Sequence, residues 1–242
     1  MKGKVLVDGD IVAYRAAFAT QDLTSKDAEN KVDDLMYFIL DETIELPFPA
    51  PHEYQTYLTG STNFRFDIAK SYPYKGNRKA TEKPKYLGAA RQYMIDSYSA
   101  IVSVEEEADD LISKSAAALG YDCVVASIDK DMLQLPCWHF NFGRNEWVKV
   151  TPFEGTKFFY HQILTGDRAD NIIGIRGIGP KKADKLLQDC HTELDMWRVV
   201  VDSYGGDTER IIENARLLWL RRQDNELWEP PQEVGNTDTG QV

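Results

Sequence analysis

The segment VEEEADDLISKS, residues 104 to 115, packs five carboxylates, Glu105, Glu106, Glu107, Asp109 and Asp110, just ahead of an apolar helical pattern. Three other acidic pairs stand apart from it: Asp8 and Asp10 in LVDGDI, Asp129 and Asp131 in SIDKDM, and Asp167 and Asp170 in TGDRADN. Carboxylates gathered at one place repel and raise one another's pKa unless a cation offsets them. An oxygen-only donor set suits Mg²⁺ or Mn²⁺. Two such ions roughly 3.5 to 4 Å apart clamp a phosphodiester for in-line attack by water. Each group also has a plainer reading, because acids are favoured at helix N-termini and in turns whatever else they do.

What joins the groups is the elements that carry them. KVLVD (4 to 8) reads as a buried strand, and IVAYRAAFAT turns helical. Residues 27 to 46 form an amphipathic helix that FPAP closes, and YQTYLT (54 to 59) is a second strand. AIVSV (100 to 104) and DCVVASI (122 to 128) are further strands, separated by a helix over about 108 to 119 that Gly120 stops. Alternating strands and helices imply an α/β fold with a mostly parallel central sheet and helices on both faces. Strand ends in such a sheet converge on one edge, where ligands bind. On a regular helix Glu107 and Asp109 point about 200 degrees apart, so they share a site only if the helix starts at or just after Glu107.

Two basic stretches accompany the acids. Residues 60 to 85, including YPYKGNRKA, read as an exposed segment in which Tyr72 and Tyr74 could stack on bases while Lys75, Arg78 and Lys79 meet phosphates. GIRGIGPKKADKLL is a tight turn at Gly177 and Gly179 that opens a basic helix. Its amides, with Lys181, Lys182 and Lys185, suit a phosphate backbone. A helix is expected at 86 to 98. CWHFNF and EWVKV flank GRN as a hairpin, everything past 156 reads as helical, and the end of the chain reads as a loose tail.

The 242 residues carry a net charge of −11, so any polyanion must be met by clustered rather than overall positive charge. Cys123, Cys137 and Cys190 are odd in number and far apart, which speaks for free thiols, and the four histidines do not join them at zinc spacing. Neither a signal peptide nor a membrane-spanning run is recognisable, and a cytoplasmic protein is expected.

LVDGDIVAYRA, YKGNRKA, EEADDLI, SIDKDMLQL and LTGDRADNIIGIRGIGPKKA follow one another in the order found in the flap endonuclease family of 5'-nucleases. The chain resembles a short bacteriophage member, which would work in the host cytoplasm. The resemblance spans residues 4 to 190 and implies a PIN-like nuclease core over residues 1 to 155 with a helical arch at about 60 to 100. A helical DNA-binding region with a helix-hairpin-helix variant would follow at 156 to 222, then a loose tail at 223 to 242. It further implies a monomer with metal-dependent cleavage of DNA at 5' ends, flaps and junctions, RNA–DNA hybrids as a further substrate, and K⁺ at the glycine turn. The implied metal ligands are Asp8, Glu107, Asp109, Asp129, Asp131, Asp167 and Asp170, with Asp110 in support and Lys75 and Arg78 on the scissile phosphate. One position departs from the pattern: Gly60 stands where the family has an acid after the second strand. Asp10 is then the candidate substitute, Gly60→Asp is expected to tighten metal binding, and a branched-DNA binding module with weakened catalysis is the alternative reading.

Overall fold

The computed structural model describes residues 3 to 44, 53 to 78 and 82 to 232. The first strand, β1 (Lys4–Asp8), runs into α1 (Gly9–Ala19) without a loop, because Asp8 ends the strand and its side chain caps the helix by accepting from the Ile11 amide at 3.2 Å. Then come α2 (Ser25–Ile44), β2 (Glu53–Leu58), the single turn α3 (Arg65–Ile68), α4 (Leu87–Tyr98) and β3 (Ile101–Val102). The FPAP stretch expected to close α2 lies outside the described residues. Next are α5 (Ala108–Ala118), β4 (Cys123–Ala126), β5 (Trp138–Asn141) and β6 (Glu146–Lys149).

These strands form one sheet in the order β3-β2-β1-β4-β5-β6, parallel except for β6, which pairs antiparallel with β5 as the expected hairpin. The central strands are apolar on both faces, as a sheet covered by helices requires. Val5 and Val7 pack with α1, α2 and α4 through Val12, Met36 and Met94. Leu6 and Val125 pack with α5 through Ile112 and Ala116. Their carboxyl ends therefore share one edge.

The rest of the chain is α6 (Pro152–Thr165), β7 (Gly166–Asp167), β8 (Ile172–Ile173), α7 (Pro180–Leu187), α8 (Glu193–Ser203) and α9 (Thr208–Leu218). The expectation of helices alone past 156 misses the antiparallel pair β7 and β8, which holds the TGDRADN loop as a hairpin. Two-residue strands carry no period that a sequence could display. The helix expected from 157 begins earlier, at Pro152, because Thr151 and Glu154 form a capping box. Trp228 lies in the stretch expected to be loose from 223, yet it is buried against Phe159, Tyr160 and Trp197. Among the described residues no helix is long and apolar enough to cross a membrane.

Candidate active site

At the carboxyl edge of the sheet lies a cavity of about 490 Å³ lined by Asp8, Asp10, Glu107, Asp109 and Asp129 together with Lys75, Arg78 and Lys83. Three elements supply the inner acids. Asp8 ends β1, and its carboxylate accepts from Ser127 Oγ at 2.7 Å across the neighbouring strand end. Glu107 is the N-cap of α5, so the helix starts at Ala108 as the spacing required, and Asp109 in its first turn reaches the same cavity. Asp129 follows β4 and accepts from the Asp131 amide at 2.9 Å.

Burial and mutual repulsion set the protonation of this group. Asp8 is 2% exposed, and desolvation, opposed by the Ser127 hydrogen bond and aided by the charges of Asp10 and Asp129, pushes its pKa up to about 7. Asp109 is driven well above the carboxylate range, first by desolvation and then by Asp8, Asp129, Glu107 and Asp110. Desolvation and Asp129 likewise push Asp131 up to about 7. A folded-state pKa above the unfolded one means that the native state holds the extra proton. The stability this confers is complete below about pH 4 and is lost as pH rises through about 7. A shift of this size at buried Asp8 is worth of the order of 4 kcal/mol. In EDTA, urea unfolding should therefore give a lower midpoint at pH 8 than at pH 5.5, and added Mg²⁺ should raise the pH 8 midpoint.

A second acidic group sits on the β7–β8 hairpin. Asp167 is buried; desolvation pulls its carboxyl upward, but Lys130 at 3.1 Å and the Ala169 amide hold it below the ordinary range. Asp170 accepts from Arg78 at 2.7 Å. Among the described residues no three acidic, histidine or cysteine side chains are grouped tightly enough to hold one ion as they stand. Cations of the protein itself engage one carboxylate of each group: Lys75 bonds Glu107, and Lys130 bonds Asp167. The donor set is nonetheless all oxygen, crowded and undercompensated, which fits hard divalent cations that keep several waters and take one or two carboxylates each.

The YKGNR segment does not behave as a free basic loop. The Lys75 amide donates to the Asp170 carbonyl at 2.8 Å, Asn77 Nδ2 to the Arg168 carbonyl at 2.6 Å and Asn171 Nδ2 to the Pro73 carbonyl at 2.9 Å. Lys75 adopts left-handed backbone (φ 55), a conformation that costs a non-glycine residue about 1 kcal/mol or more, and this aims its ammonium at Glu107 and Asp170. Tyr74 corrects the expectation of base stacking: its ring is 4% exposed, and its hydroxyl lies 2.9 Å from Glu107 and 2.7 Å from Asp170. One phenolic hydrogen serves one of them at a time. Lys79 lies outside the described residues.

The polar residues around the cavity are tied down in turn. Asp110 turns away from the cavity into a bidentate pair with Arg65, at 2.6 and 2.9 Å. Burial would raise its pKa, but Arg65 lowers it below the usual range. It supports Glu107 by accepting from the Glu107 amide at 3.1 Å. Glu106, another acid of the same run, is buried and paired with Lys114 at 2.6 Å. Asp10 lines the cavity, but its carboxylate is already taken by Arg91 and by the Thr59 amide at 2.8 Å. Arg65 and Lys130 had no signal in spacing or composition, since each pairs with a residue far along the chain or in another layer.

Gly60 is a backbone requirement as much as a missing acid. A Cβ there would stand 2.0 Å from the Ser103 carbonyl oxygen, in a loop tied by the Gly60 amide to Ser103 Oγ at 2.9 Å. The expectation that Gly60→Asp repairs the site is therefore corrected. That substitution should lower stability by about 2 kcal/mol or more, as forced overpacking does, without tightening metal binding. Thermal unfolding alongside Mn²⁺ titration checks both halves.

Gly177 (φ 84) and Gly179 make the turn before α7, where Lys181, Lys182 and Lys185 are exposed while Ala183 and Leu187 are buried. These lysines do not line the acidic cavity.

Comparison with known proteins agrees with this geometry. Residues 4 to 152 match the family model described as 5'-3' exonuclease, N-terminal resolvase-like domain. DNA polymerase I of Bacillus subtilis is 34% identical over 212 residues, which is 77% of this chain and 23% of that protein. A 5'-3' exonuclease of Mycoplasma genitalium is 29% identical over 216 residues, 79% of this chain and 74% of that one. This chain thus spans about a quarter of the polymerase relatives it matches. In fold it resembles the bacteriophage T5 flap endonuclease, solved with DNA and metal ions (TM-score 0.67, 17% identity, 90% of this chain and 89% of that one). It also resembles flap endonuclease-1 of Methanococcus jannaschii (TM-score 0.58, 18% identity, 93% and 81%). The match over residues 4 to 152, with the acids gathered at one sheet edge, places this chain in the 5'-3' exonuclease family.

Proposed function

We propose that the chain is a divalent-metal-dependent 5'-nuclease that hydrolyses DNA phosphodiesters at 5' ends and flap junctions. The observation that carries this reading is the crowd of carboxylates at one sheet edge, among which burial and repulsion push Asp8 and Asp131 up to about 7 and Asp109 well above the carboxylate range. A protein maintains such a cluster at a loss of stability where a cation completes it. Asp8, Glu107, Asp109 and Asp129 would hold one ion, and Asp131, Asp167 and Asp170 the neighbourhood of a second. Bound divalent cations supply activation of water and neutralisation of charge on the phosphate.

The chain's own residues do the rest. Lys75 and Arg78, fixed against the Asp167–Asp170 loop, present cationic hydrogens to the non-bridging oxygens of the phosphate and favour the extra negative charge of the transition state. Because both are engaged by carboxylates beforehand, they are positioned before substrate arrives. The exposed lysines of α7 and the amides after Gly177 suit the phosphates of a duplex arm, and the turn's carbonyls suit K⁺.

The test uses labelled 5'-flap DNA, linear duplex and an RNA–DNA hybrid with Mg²⁺, Mn²⁺ or EDTA. Shortened 5' products with either metal and none in EDTA are expected, flap DNA being cut fastest. Binding of flap DNA without product at any metal concentration would replace the enzyme by a branched-DNA binding module.

A further inference from the structure

Lys75 and Arg78 meet Asp170 across a seam between two segments, and one stretch of α9 holds both sides of that seam. On the first side, the Glu213 carboxylate takes three hydrogens from the chain that leaves α3. The Lys70 amide at 2.8 Å and the Ser71 amide at 2.7 Å both reach Oε1, and the Ser71 hydroxyl reaches Oε2. Arg210, about one turn earlier, lies over the Tyr72 ring at 5.0 Å and pairs with Glu213 at 3.3 Å. On the second side, Arg210 Nη2 and Asn214 Nδ2 donate to the Ile173 carbonyl at 3.0 and 2.9 Å. Ile173 ends β8, the strand that closes the hairpin carrying Asp167 and Asp170. The Glu213 side chain is only 11% exposed. Burial would raise its pKa, but the Ser71 hydroxyl and amide, the Lys70 amide and Arg210 hold it below the usual carboxylate range, so it stays an anion at neutral pH.

We propose that Glu213 is a positioning residue: by anchoring Lys70 and Ser71 to α9 it sets where Lys75 and Arg78 stand relative to the phosphate under attack. The proposal rests on the nuclease reading for the role of those two cations. Glu213 does not line the acidic cavity, so it acts through the chain it holds. Only Tyr72, Pro73 and Tyr74 separate the anchor from Lys75, and the proline fixes its own φ and restricts the residue before it. A displacement at Ser71 is therefore passed on to Lys75 rather than absorbed. The other end of the seam hangs from the same helix, since Ile173 carries the hairpin whose Asp170 carbonyl accepts from the Lys75 amide. The clamp thus fixes one segment against the other. Misplacing a catalytic group by about 1 Å can cost on the order of a hundredfold in rate. Ground-state binding through the distant lysines of α7 is left alone, so kcat rather than KM carries the effect.

The test is steady-state cleavage of labelled 5'-flap DNA by the full chain in Mg²⁺, alongside hydrogen exchange of its backbone amides in EDTA. Glu213→Ala should lower kcat at least tenfold with KM within threefold, and its Lys75 amide should exchange at least tenfold faster. Glu213→Gln keeps an oxygen for both amides and should hold kcat within threefold of wild type. Ser71→Ala, at an exposed position where folding is not at stake, should lower kcat three- to tenfold. Arg216→Ala is the comparison: it lies on the same helix but bonds the Trp228 carbonyl and Glu229, so it should leave kcat and Lys75 exchange within threefold whatever it does to the melting temperature. Full kcat in Ser71→Ala and in any Glu213→Ala that folds, or an equal loss in Arg216→Ala, overturns the positioning role. Cleavage by the wild type with Lys75 exchange unmoved in Glu213→Ala overturns that role alone. Faster exchange in Glu213→Ala with no cleavage by the wild type in either Mg²⁺ or Mn²⁺ overturns the nuclease reading.

Discussion

Asp109→Asn should remove metal-dependent cleavage by roughly a thousandfold or more, equivalent to about 4 kcal/mol of barrier, and should at the same time make the metal-free protein more stable. The first half follows from the placement of Asp109 among Asp8, Glu107 and Asp129 around the cavity. The second follows from what surrounds its carboxyl. Desolvation and four neighbouring acids raise its pKa, and no hydrogen bond among the described residues opposes them. An amide of nearly the same shape removes the repulsion and leaves no donor partner orphaned. In EDTA at pH 8 the gain should be about 1 to 3 kcal/mol by urea unfolding. With saturating Mg²⁺ the ranking should reverse, because the wild type then gains binding free energy that the variant lacks. A variant less stable than wild type in EDTA would remove the electrostatic argument for the cation site.

The largest loss of stability should come from outside the cavity. Arg65→Met should destabilise the protein by about 3 to 5 kcal/mol, a large part of the 5 to 15 kcal/mol that holds an ordinary domain together. Arg65 is 2% exposed and Asp110 fully buried, so the substitution strands a carboxylate with no route to water. It also frees the carbonyls of Leu217 and Trp219, which accept from Arg65 at 2.9 and 2.8 Å. The double variant Arg65→Met/Asp110→Asn should recover at least half of the loss. The recovery stays incomplete because the Glu107 and Arg221 amides, at 3.1 Å each, bond to separate oxygens of Asp110, and the single amide oxygen of asparagine keeps only one of them. A single-variant loss below about 1 kcal/mol in urea titration would show that the pair contributes little.

The acids of the site were legible because strand ends in a parallel sheet converge, and because Glu107 and Asp109 demanded a helix start that Ala108 supplies. The order of strands and helices to the β5–β6 hairpin was legible from period and turns. What stayed hidden was whatever depends on contacts across layers. Glu106 looks like Glu105 in sequence, yet only Glu106 meets Lys114 and lies 3.8 Å from Arg221. Tyr74 sits in a run that reads as a polar loop, but its ring packs under Phe66 and its hydroxyl points at two acids. Gly60 read as a missing ligand, whereas the Ser103 carbonyl makes it a steric necessity.

Arg65 has a meaning in time as well as in space. Its guanidinium is completed by the carbonyls at 217 and 219, and Asp110 is completed by the amide at 221. A chain emerging from the ribosome can lay down β1, β2, β4 and every acid of the site while these partners are still unmade. During that interval Asp110 has Arg65 and the Glu107 amide alone, and the start of α5, which carries Glu107 and Asp109, lacks its outer brace. The brace of the site thus rests on contacts 111 to 154 residues apart along the chain, whose closure costs more entropy than the nearer pairings within the sheet.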